Sequence, residues 1–409
     1  MRILIYGINY SPDLTGIGKY SGEMGKWLAE NEHHVSVVTA MPYYPQWAVN
    51  TKYRGRLWHS EMIDGVKVYR CPLYVPAKPT GLKRMLHDVS FLVSSFFVFV
   101  KLLFLPKFDA MITVAPPFHL GLVSLFYRFF KGSKVLYHIQ DLQVDAAKEL
   151  GMIKSKALLS ILIKIERYII TKVDYVSSIS EGMILKIKQK VERNVIEFPN
   201  WVDLKNYYPV GDKGTIKVRW GYNEHDKIIL YSGNIGEKQG LDGLLAVAAK
   251  FTKRPNVKFI ICGTGAYKNK LVDSTRQMNL KNIDFLPLQE NNVFNDFLNM
   301  ADIHLILQKK DASDLVMPSK LTTILAVGGL ALVTANNDTC LYKVIAENEM
   351  GLIAAPEDVD ELYKKIEQGL TMDVSEMHKK SHIYALENLS IDAILSGLIN
   401  NLSWTHSKI

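Results

Sequence analysis

Short apolar runs rich in valine and isoleucine punctuate the chain, and helix-length stretches separate them. In the first half the runs predict strands at Ile3–Ile8, Val35–Thr39, Val66–Arg70, Ala110–Val114, Val135–His138, Tyr175–Ile179 and Val195–Phe198. In the second half they predict Ile228–Ser232, Lys258–Cys262, Ile283–Leu286, Ile303–Leu307, Leu330–Thr334 and Leu352–Ala354. Strands this continuously apolar are buried on both faces, so their alternation with helices implies parallel sheets covered on either side. Each half holds enough strands for a complete doubly wound α/β domain. Between them, FPNWVDLKNYYPVGDKGTIKVRWGYNEHDK has prolines, glycines and no periodicity before Lys227, which puts a linker near 200–222. Glu376 to Ser403 reads as one or two amphipathic helices. Doubly wound sheets bind ligands at the carboxyl ends of their strands, so two of them are expected to face each other across a deep cleft.

A length of 409 residues agrees with two or three domains. The charge is uneven. Residues 1–205 carry 27 Lys and Arg against 17 Asp and Glu, a net +10, whereas the remainder carries 22 against 24, a net −2. A basic half suits nucleic acid, anionic lipid or a phosphorylated substrate. No nucleic-acid-binding signature accompanies it, which leaves lipid and phosphate, and no nucleic-acid partner is expected. Cys71, Cys262 and Cys340 are scattered without metal-binding spacing, as in a reducing compartment. RILIYG follows the first methionine directly, so no signal peptide is expected.

Four loops at predicted strand ends carry candidate chemistry. Gly16-Ile17-Gly18-Lys19 precedes a helix predicted over 19–30. It is not a P-loop, because Asp13 and Tyr20 stand where glycine and Ser or Thr are needed, and it fails the dinucleotide fingerprint as well. What remains is a glycine turn that lets backbone approach a ligand, or an ordinary turn. In YSGNIGEKQG, Gly233 and Gly236 flank Asn234, and Lys238 precedes a helix expected near Leu241. In VMPSKLTTILAVGG, Pro318 suits a first helical turn, with Ser319 and Lys320 after it. A lysine at a helix start opposes the macrodipole unless an anion is bound there. The fourth loop, ICGTGAYKNKL, turns through Gly263 and Gly265, as a tight turn or a nucleotide contact. His138 ends a predicted strand, where ligands sit, and reads either as a site residue or as a satisfied core histidine. His119, after APPF, sits at another strand end.

Together these residues resemble the GT-B glycosyltransferases of family 4, the large retaining group that uses sugar nucleotides. INYSPDLTGIGKYSGEMGKWLAENEHHVSVVTA is similar to the family's opening strand, glycine loop, helix and second strand; SSISEGM and IEFPNWVDLKNYYP are similar to its bridge between domains; YSGNIGEKQGLDGLL and PSKLTTILAVGGLALVTA are similar to its phosphate-binding stretches. MPYYPQW, RCPLYVP, LYHIQDLQVDA and GNIGEKQGL look most like the colanic-acid and O-antigen type enzymes of bacterial polysaccharide assembly, a group described as fucosyl- or N-acetyl-amino-sugar transferases. The resemblance implies a GT-B chain with an acceptor domain at 1–200, a linker at 201–222, a donor domain at 223–385, and a C-terminal helix at 386–409 packing on the first domain.

It also implies roles. Lys238 and Lys320 would contact the donor diphosphate, with Asn234, Gly236 and Ser319 nearby. Gly16 and Gly18 would reach the same phosphates. Gly263, Gly265, Leu286 and Leu288 would frame the base. His138 matches a histidine near the donor sugar, and Asp141 is its polar neighbour. His119, Tyr43 and Tyr44 are acceptor candidates. Two departures stand out. Leu315 and Thr323 occupy the places of a glutamate pair, and Asn234 that of an arginine; Asp314 is the first candidate to take over the glutamates' contacts.

The implied reaction is retaining transfer through an oxocarbenium-like front-face attack. It needs no metal and no cofactor beyond the GDP- or UDP-linked sugar, and no DxD motif is present. L-Fucose from GDP-fucose is the first expectation, with a UDP-N-acetyl amino sugar or GDP-mannose as alternatives. The acceptor is expected to be an undecaprenyl-diphosphate-linked saccharide in exopolysaccharide or O-antigen assembly. An alternative of another class is a non-catalytic scaffold that binds sugar nucleotides. The longest apolar run, Val89 to Leu105, is interrupted by Lys101 and is marginal for spanning a bilayer. It reads as a core helix or as a monotopic surface helix against anionic lipid. The expected location is cytoplasmic, peripheral on the inner face of the plasma membrane.

Overall fold

A computed structural model describes residues 1–13, 16–149, 153, 155–310, 318–337 and 339–402. The chain divides into two compact units. Unit 1 is 1–199 with the described residues from 395 onward, and unit 2 is 200–394.

Unit 1 begins with β1 (Arg2–Tyr6), α1 (Gly16–Glu30), β2 (His34–Ala40), β3 (His59–Ile63) and β4 (Val66–Cys71). It continues through α2 (Gly81–Leu102), β5 (Ala110–Ala115), α3 (Leu120–Lys131), β6 (Lys134–Ile139) and α4 (Gln143–Glu149). It closes its sheet with α5 (Lys156–Lys172), β7 (Tyr175–Ser178), α6 (Glu181–Lys190) and β8 (Ile196–Glu197). The strand order is β3-β4-β2-β1-β5-β6-β7-β8. All neighbours are parallel except β3, which runs antiparallel on β4 at the edge. The inner strands are buried throughout; β5, for example, has no accessible residue along AMITVA.

Unit 2 contains α7 (Lys213–Arg219), β9 (Lys227–Ser232), α8 (Asp242–Lys250), β10 (Val257–Cys262), α9 (Lys268–Gln277) and β11 (Ile283–Leu286). These are followed by α10 (Asn291–Asn299), β12 (Ile303–Ile306), α11 (Ser319–Ala326), β13 (Ala331–Thr334), α12 (Cys340–Glu347) and β14 (Gly351–Ala354). The helices α13 (Val359–Thr371) and α14 (Ser375–Asn388) end unit 2, and α15 (Ile391–Asn401) carries the chain from unit 2 back to the residues of unit 1. The sheet order is β11-β10-β9-β12-β13-β14, all parallel. Separate apolar clusters pack on its two faces, one around Leu230, Ile260 and Val333, the other around Ile229, Ile261 and Leu332.

Every strand predicted from the apolar runs is present. The sequence reading missed β3, whose residues HSEMI are only alternately half-buried, as an edge strand allows. Its signal was the turn rather than the strand. Asp64 and Gly65, both at positive φ, join β3 to β4 as a two-residue hairpin.

Candidate functional site

In unit 2 the chain order reverses between β9 and β12, where a doubly wound sheet opens a crevice at its carboxyl ends. β9 runs out into the loop Gly233–Gly240. Gly233 N donates to Cys262 O at 2.9 Å and Ile235 N to Thr264 O at 2.8 Å, laying this loop against the one that leaves β10. A Cβ on Gly263 would fall 1.9 Å from Gly233 O, and one on Gly265 2.1 Å from Ile235 O. Both positions are therefore glycine because two backbones touch, whatever ligand the loop also meets. Lys268 Nζ donates to the carbonyls of Gly263 (3.0 Å) and Leu286 (3.3 Å), fixing that loop to the end of β11. Leu286 is half-buried and Leu288 exposed.

Lys238 is not at the start of an α-helix, as the sequence reading expected. It lies in a single 3-10 turn, Glu237–Gln239, and α8 begins later, with Asp242 in its first turn. The macrodipole argument therefore does not apply to it. Its side chain is exposed, as is that of Asn234, whose carbonyl accepts from the Tyr231 hydroxyl at 2.6 Å.

For Lys320 that argument holds. It is the second residue of α11, whose cap, Pro318, offers no side-chain hydrogen bond to the first turn. The Lys320 ammonium stands 3.9 Å from the centroid of the Tyr231 ring, and 3.9 Å from where a Cβ on Gly233 would be. The residue is half-buried, and burial pulls its pKa down to about 7. Among the described residues no carboxylate pairs with Lys238 or Lys320. A half-buried cation, free helical N–H groups and glycine backbone thus converge where an anion fits. Thr323, in the place of a family glutamate, donates its hydroxyl to Lys320 O at 3.0 Å and so caps its own helix turn. Ser319 is the first residue of α11. Asp314 and Leu315 lie outside the described residues.

In unit 1 the order reverses between β1 and β5. The loop leaving β1 carries Asp13, only 7% exposed, whose carboxylate accepts from Asn9 Nδ2 at 3.1 Å. Burial raises its pKa to about 6. A Cβ on Gly18 would lie 2.5 Å from that of Asp13, so Gly18 makes room for a carboxylate, a structural reason the sequence reading did not supply. Gly16 opens α1 with empty space where a side chain would stand. Tyr43 is buried, with its hydroxyl hydrogen-bonded to Asn9 and its ring edge-on to His87 (4.6 Å) and Trp47 (5.6 Å). A cavity of about 410 Å³ runs along Asp13, Tyr43, Tyr44, Asn50 and Arg54. His119 Nε2 donates to Asp88 O at 3.3 Å, and burial lowers its pKa. The Asp88 carboxylate accepts from Gln143 Nε2 at 2.9 Å, and burial raises its pKa to about 6.

His138 is placed differently from the expected site role. Its ring is 2% exposed, packs 4.5 Å from Phe198, shares a 3.0 Å hydrogen bond with Ser177, and is driven down to about 3 by burial. That is the position of a neutral core histidine, because its ring faces the strand neighbours rather than the strand's end. Asp141, just beyond β6, is on the surface. Lys320 and the two unit 2 glycine loops, all singled out in the sequence, thus lie together at one crevice, whereas Asp13, Asp88 and the Trp47–His87 wall come to notice only in the structure.

Comparison with known proteins gives the following. Residues 15–201 match the family described as Glycosyl transferase 4-like domain, and residues 212–387 match Glycosyl transferases group 1. The chain is 40% identical, over 98% of its length, to the protein named as colanic acid biosynthesis glycosyl transferase WcaI of Escherichia coli (strain K12), all of which is covered. In fold it is similar to sucrose-phosphate synthase from Thermosynechococcus elongatus (TM-score 0.73, 16% identity, 98% of each chain). It is likewise similar to HepE of Anabaena in complex with UDP (TM-score 0.72, 12% identity, 98% of this chain and 100% of that one).

Proposed function

The chain belongs to the group 1 glycosyl transferases and is a glycosyltransferase of the GT-B fold, and we propose that it moves L-fucose from GDP-fucose to a lipid-linked oligosaccharide, with retention and without a metal. The product would enter a bacterial exopolysaccharide of the colanic-acid or O-antigen kind, a reading supported by the 40% identity to WcaI. The observation that carries the donor assignment is Lys320, a half-buried lysine at a helix N-terminus, over the Tyr231 ring, with no carboxylate partner among the described residues.

In this reading the bond from the sugar's anomeric carbon to the β-phosphate oxygen breaks, and its electron pair leaves with the diphosphate. Lys320, Lys238 and the first-turn N–H groups of α11 stabilise that charge. The acceptor oxygen bonds to the same face of the oxocarbenium-like sugar, and its proton passes to the departing phosphate. Unit 1 would hold the acceptor in the cavity beside Asp13, Tyr43 and Tyr44, with His119 nearby. Removing one such electrostatic contact typically costs about 3–4 kcal/mol of transition-state stabilisation.

The similarity to HepE, solved with UDP, supports a UDP-linked donor, here a UDP-N-acetyl amino sugar, as the second reading, with GDP-mannose third. Thermal unfolding with GDP and UDP, then turnover of GDP-fucose, UDP-N-acetylglucosamine and GDP-mannose in EDTA, separates them. The expected result is stabilisation by GDP, lost in Lys320→Ala, and EDTA-resistant consumption of GDP-fucose. Stabilisation by UDP alone would exclude fucose as the sugar, and loss of turnover in EDTA would exclude the metal-free mechanism.

The proposal also places the protein on the inner face of the plasma membrane. α2 buries Phe91, Ser95, Val98, Phe99 and Leu102 on one side. Its other side exposes Leu82, Leu86, Val89, Val93, Phe97 and Val100, six positions in near-heptad register. Aromatic contacts extend that face onto α3, Phe96–Phe126 at 5.0 Å and Phe126–Phe130 at 5.0 Å. Phe104 and Phe129 are 85% and 83% exposed. A helix buried on one side and apolar on the other suits a position in the bilayer interface.

A further inference from the structure

Lys238 and Lys320 are not the only cations at the β9/β12 crevice. Beyond β12 the chain leaves the carboxyl end of the sheet through Gln308 and Lys309, opposite the loop Gly233–Gly240. Gln308 is pinned from behind. Its N donates to Thr334 Oγ1 at 2.8 Å, and the same hydroxyl donates to Gln308 O at 3.0 Å. Lys309 is pinned to the facing loop, with its N donating to Lys238 O at 3.0 Å. Gly240 sits at φ +63°, and a Cβ there would fall 3.3 Å from Lys309 Cγ, so the Lys309 stem starts alongside the 236–240 turn. Lys309 is half-buried, and among the described residues no carboxylate pairs with it.

From the bond between the Lys309 and Lys238 backbones and the lysine stem beside Gly240, we infer that Lys309 is a third cation of the diphosphate site. The inference rests on reading this crevice as the donor site. A nucleoside diphosphate carries about three negative charges once its terminal phosphate is ionised. Lys238 and Lys320 together supply at most two positive charges. Lys309 balances the third, and because its backbone is bonded to that of Lys238, the two cations share one rigid junction. Without an anion they are two like charges on adjoining backbones; with one, each gains a charge-assisted partner.

Isothermal titration of GDP and UDP against wild type, Lys309→Met, Lys309→Arg, Lys238→Ala and Lys320→Ala, at low and high salt, tests this. None of these changes removes the backbone bond, and a thermal midpoint close to wild type confirms that each variant is folded. Lys309→Met should weaken diphosphate binding roughly tenfold and flatten its salt dependence. Binding of the unphosphorylated nucleoside should not change, and Lys309→Arg should recover most of the loss. Wild-type diphosphate affinity in Lys309→Met, with Lys238→Ala and Lys320→Ala both weakened, would overturn the inference and leave the donor site standing. Wild-type affinity in all three would overturn the donor-site reading itself, and this inference with it.

Discussion

Lys320 holds its ammonium against the Tyr231 ring at the positive end of α11, and burial brings its pKa from the usual 10.5 to about 7. Between those two values the folded protein binds fewer protons than the unfolded chain. Stability of the free protein should therefore rise with pH across that window, and the penalty of the buried charge is fully present below it. A bound diphosphate restores the cationic form. At pH 8, where the terminal phosphate is already ionised, binding should take up close to one proton. Titration calorimetry of GDP or UDP in buffers of different ionisation enthalpy measures that number directly. Uptake should shrink towards pH 6 and vanish in Lys320→Met; equal uptake in that variant would assign the proton elsewhere. At this scale the sequence was half-legible. Lys320 showed itself because a cation beside a helix-starting proline is locally anomalous. Asp88 and Lys309 did not, because each matters only through a residue distant in sequence, and Asp13 did not, because its burial against Asn9 and Gly18 leaves no periodic mark in the loop. His138 misled, since a place at a strand's end does not reveal which way the ring points.

The elements were the most legible level, for a physical reason. A strand buried on both faces is a continuous apolar run, and KIILYS, VKFIIC and AMITVA each announce themselves. β3 lies at an edge, with a weak alternating pattern that resembles a loop. α8 begins where the sequence puts it, next to Leu241, but Lys238 stands apart from it, because a 3-10 turn and Gly240 intervene between Lys238 and Asp242. What no propensity could show is that the loops after β9 and β10 are one object. Gly263 is at φ +151° with the Gly233 carbonyl where a side chain would go, and Gly265 repeats this against Ile235. Gly263→Ala must therefore push these loops away from each other and strain its own backbone, an effect of order 3 kcal/mol. Urea unfolding should show that loss at unchanged m-value, with diphosphate affinity lowered as well because Lys320 packs beside Gly233. Gly211→Ala, a glycine with nothing within 4 Å of its Cβ position, is the control expected to stay near wild type.

Over the whole molecule, excess positive charge and exposed apolar surface fall in the same part of the chain. The net +10 of residues 1–205 belongs to the same stretch of chain that carries the exposed α2 stripe and the phenylalanines of α3. Neither feature suffices alone. An apolar face without charge invites aggregation, and a basic patch without apolar groups binds anionic lipid only weakly. Combined, they predict binding that needs both terms. The protein should sediment with vesicles containing phosphatidylglycerol, and less with pure phosphatidylcholine. Raising salt should weaken the electrostatic contribution and leave a residual apolar one. Val93→Glu with Phe97→Glu should abolish sedimentation at either salt while leaving the thermal midpoint and GDP or UDP affinity unchanged, since these side chains are exposed on α2 and the proposed diphosphate site is built from residues of unit 2. If the wild-type protein stays in the supernatant with both lipids at low salt, the membrane face is refuted and the stripe must serve a protein partner. If the double variant still binds, attachment comes from charge alone, and the apolar face of α2 has no role in it.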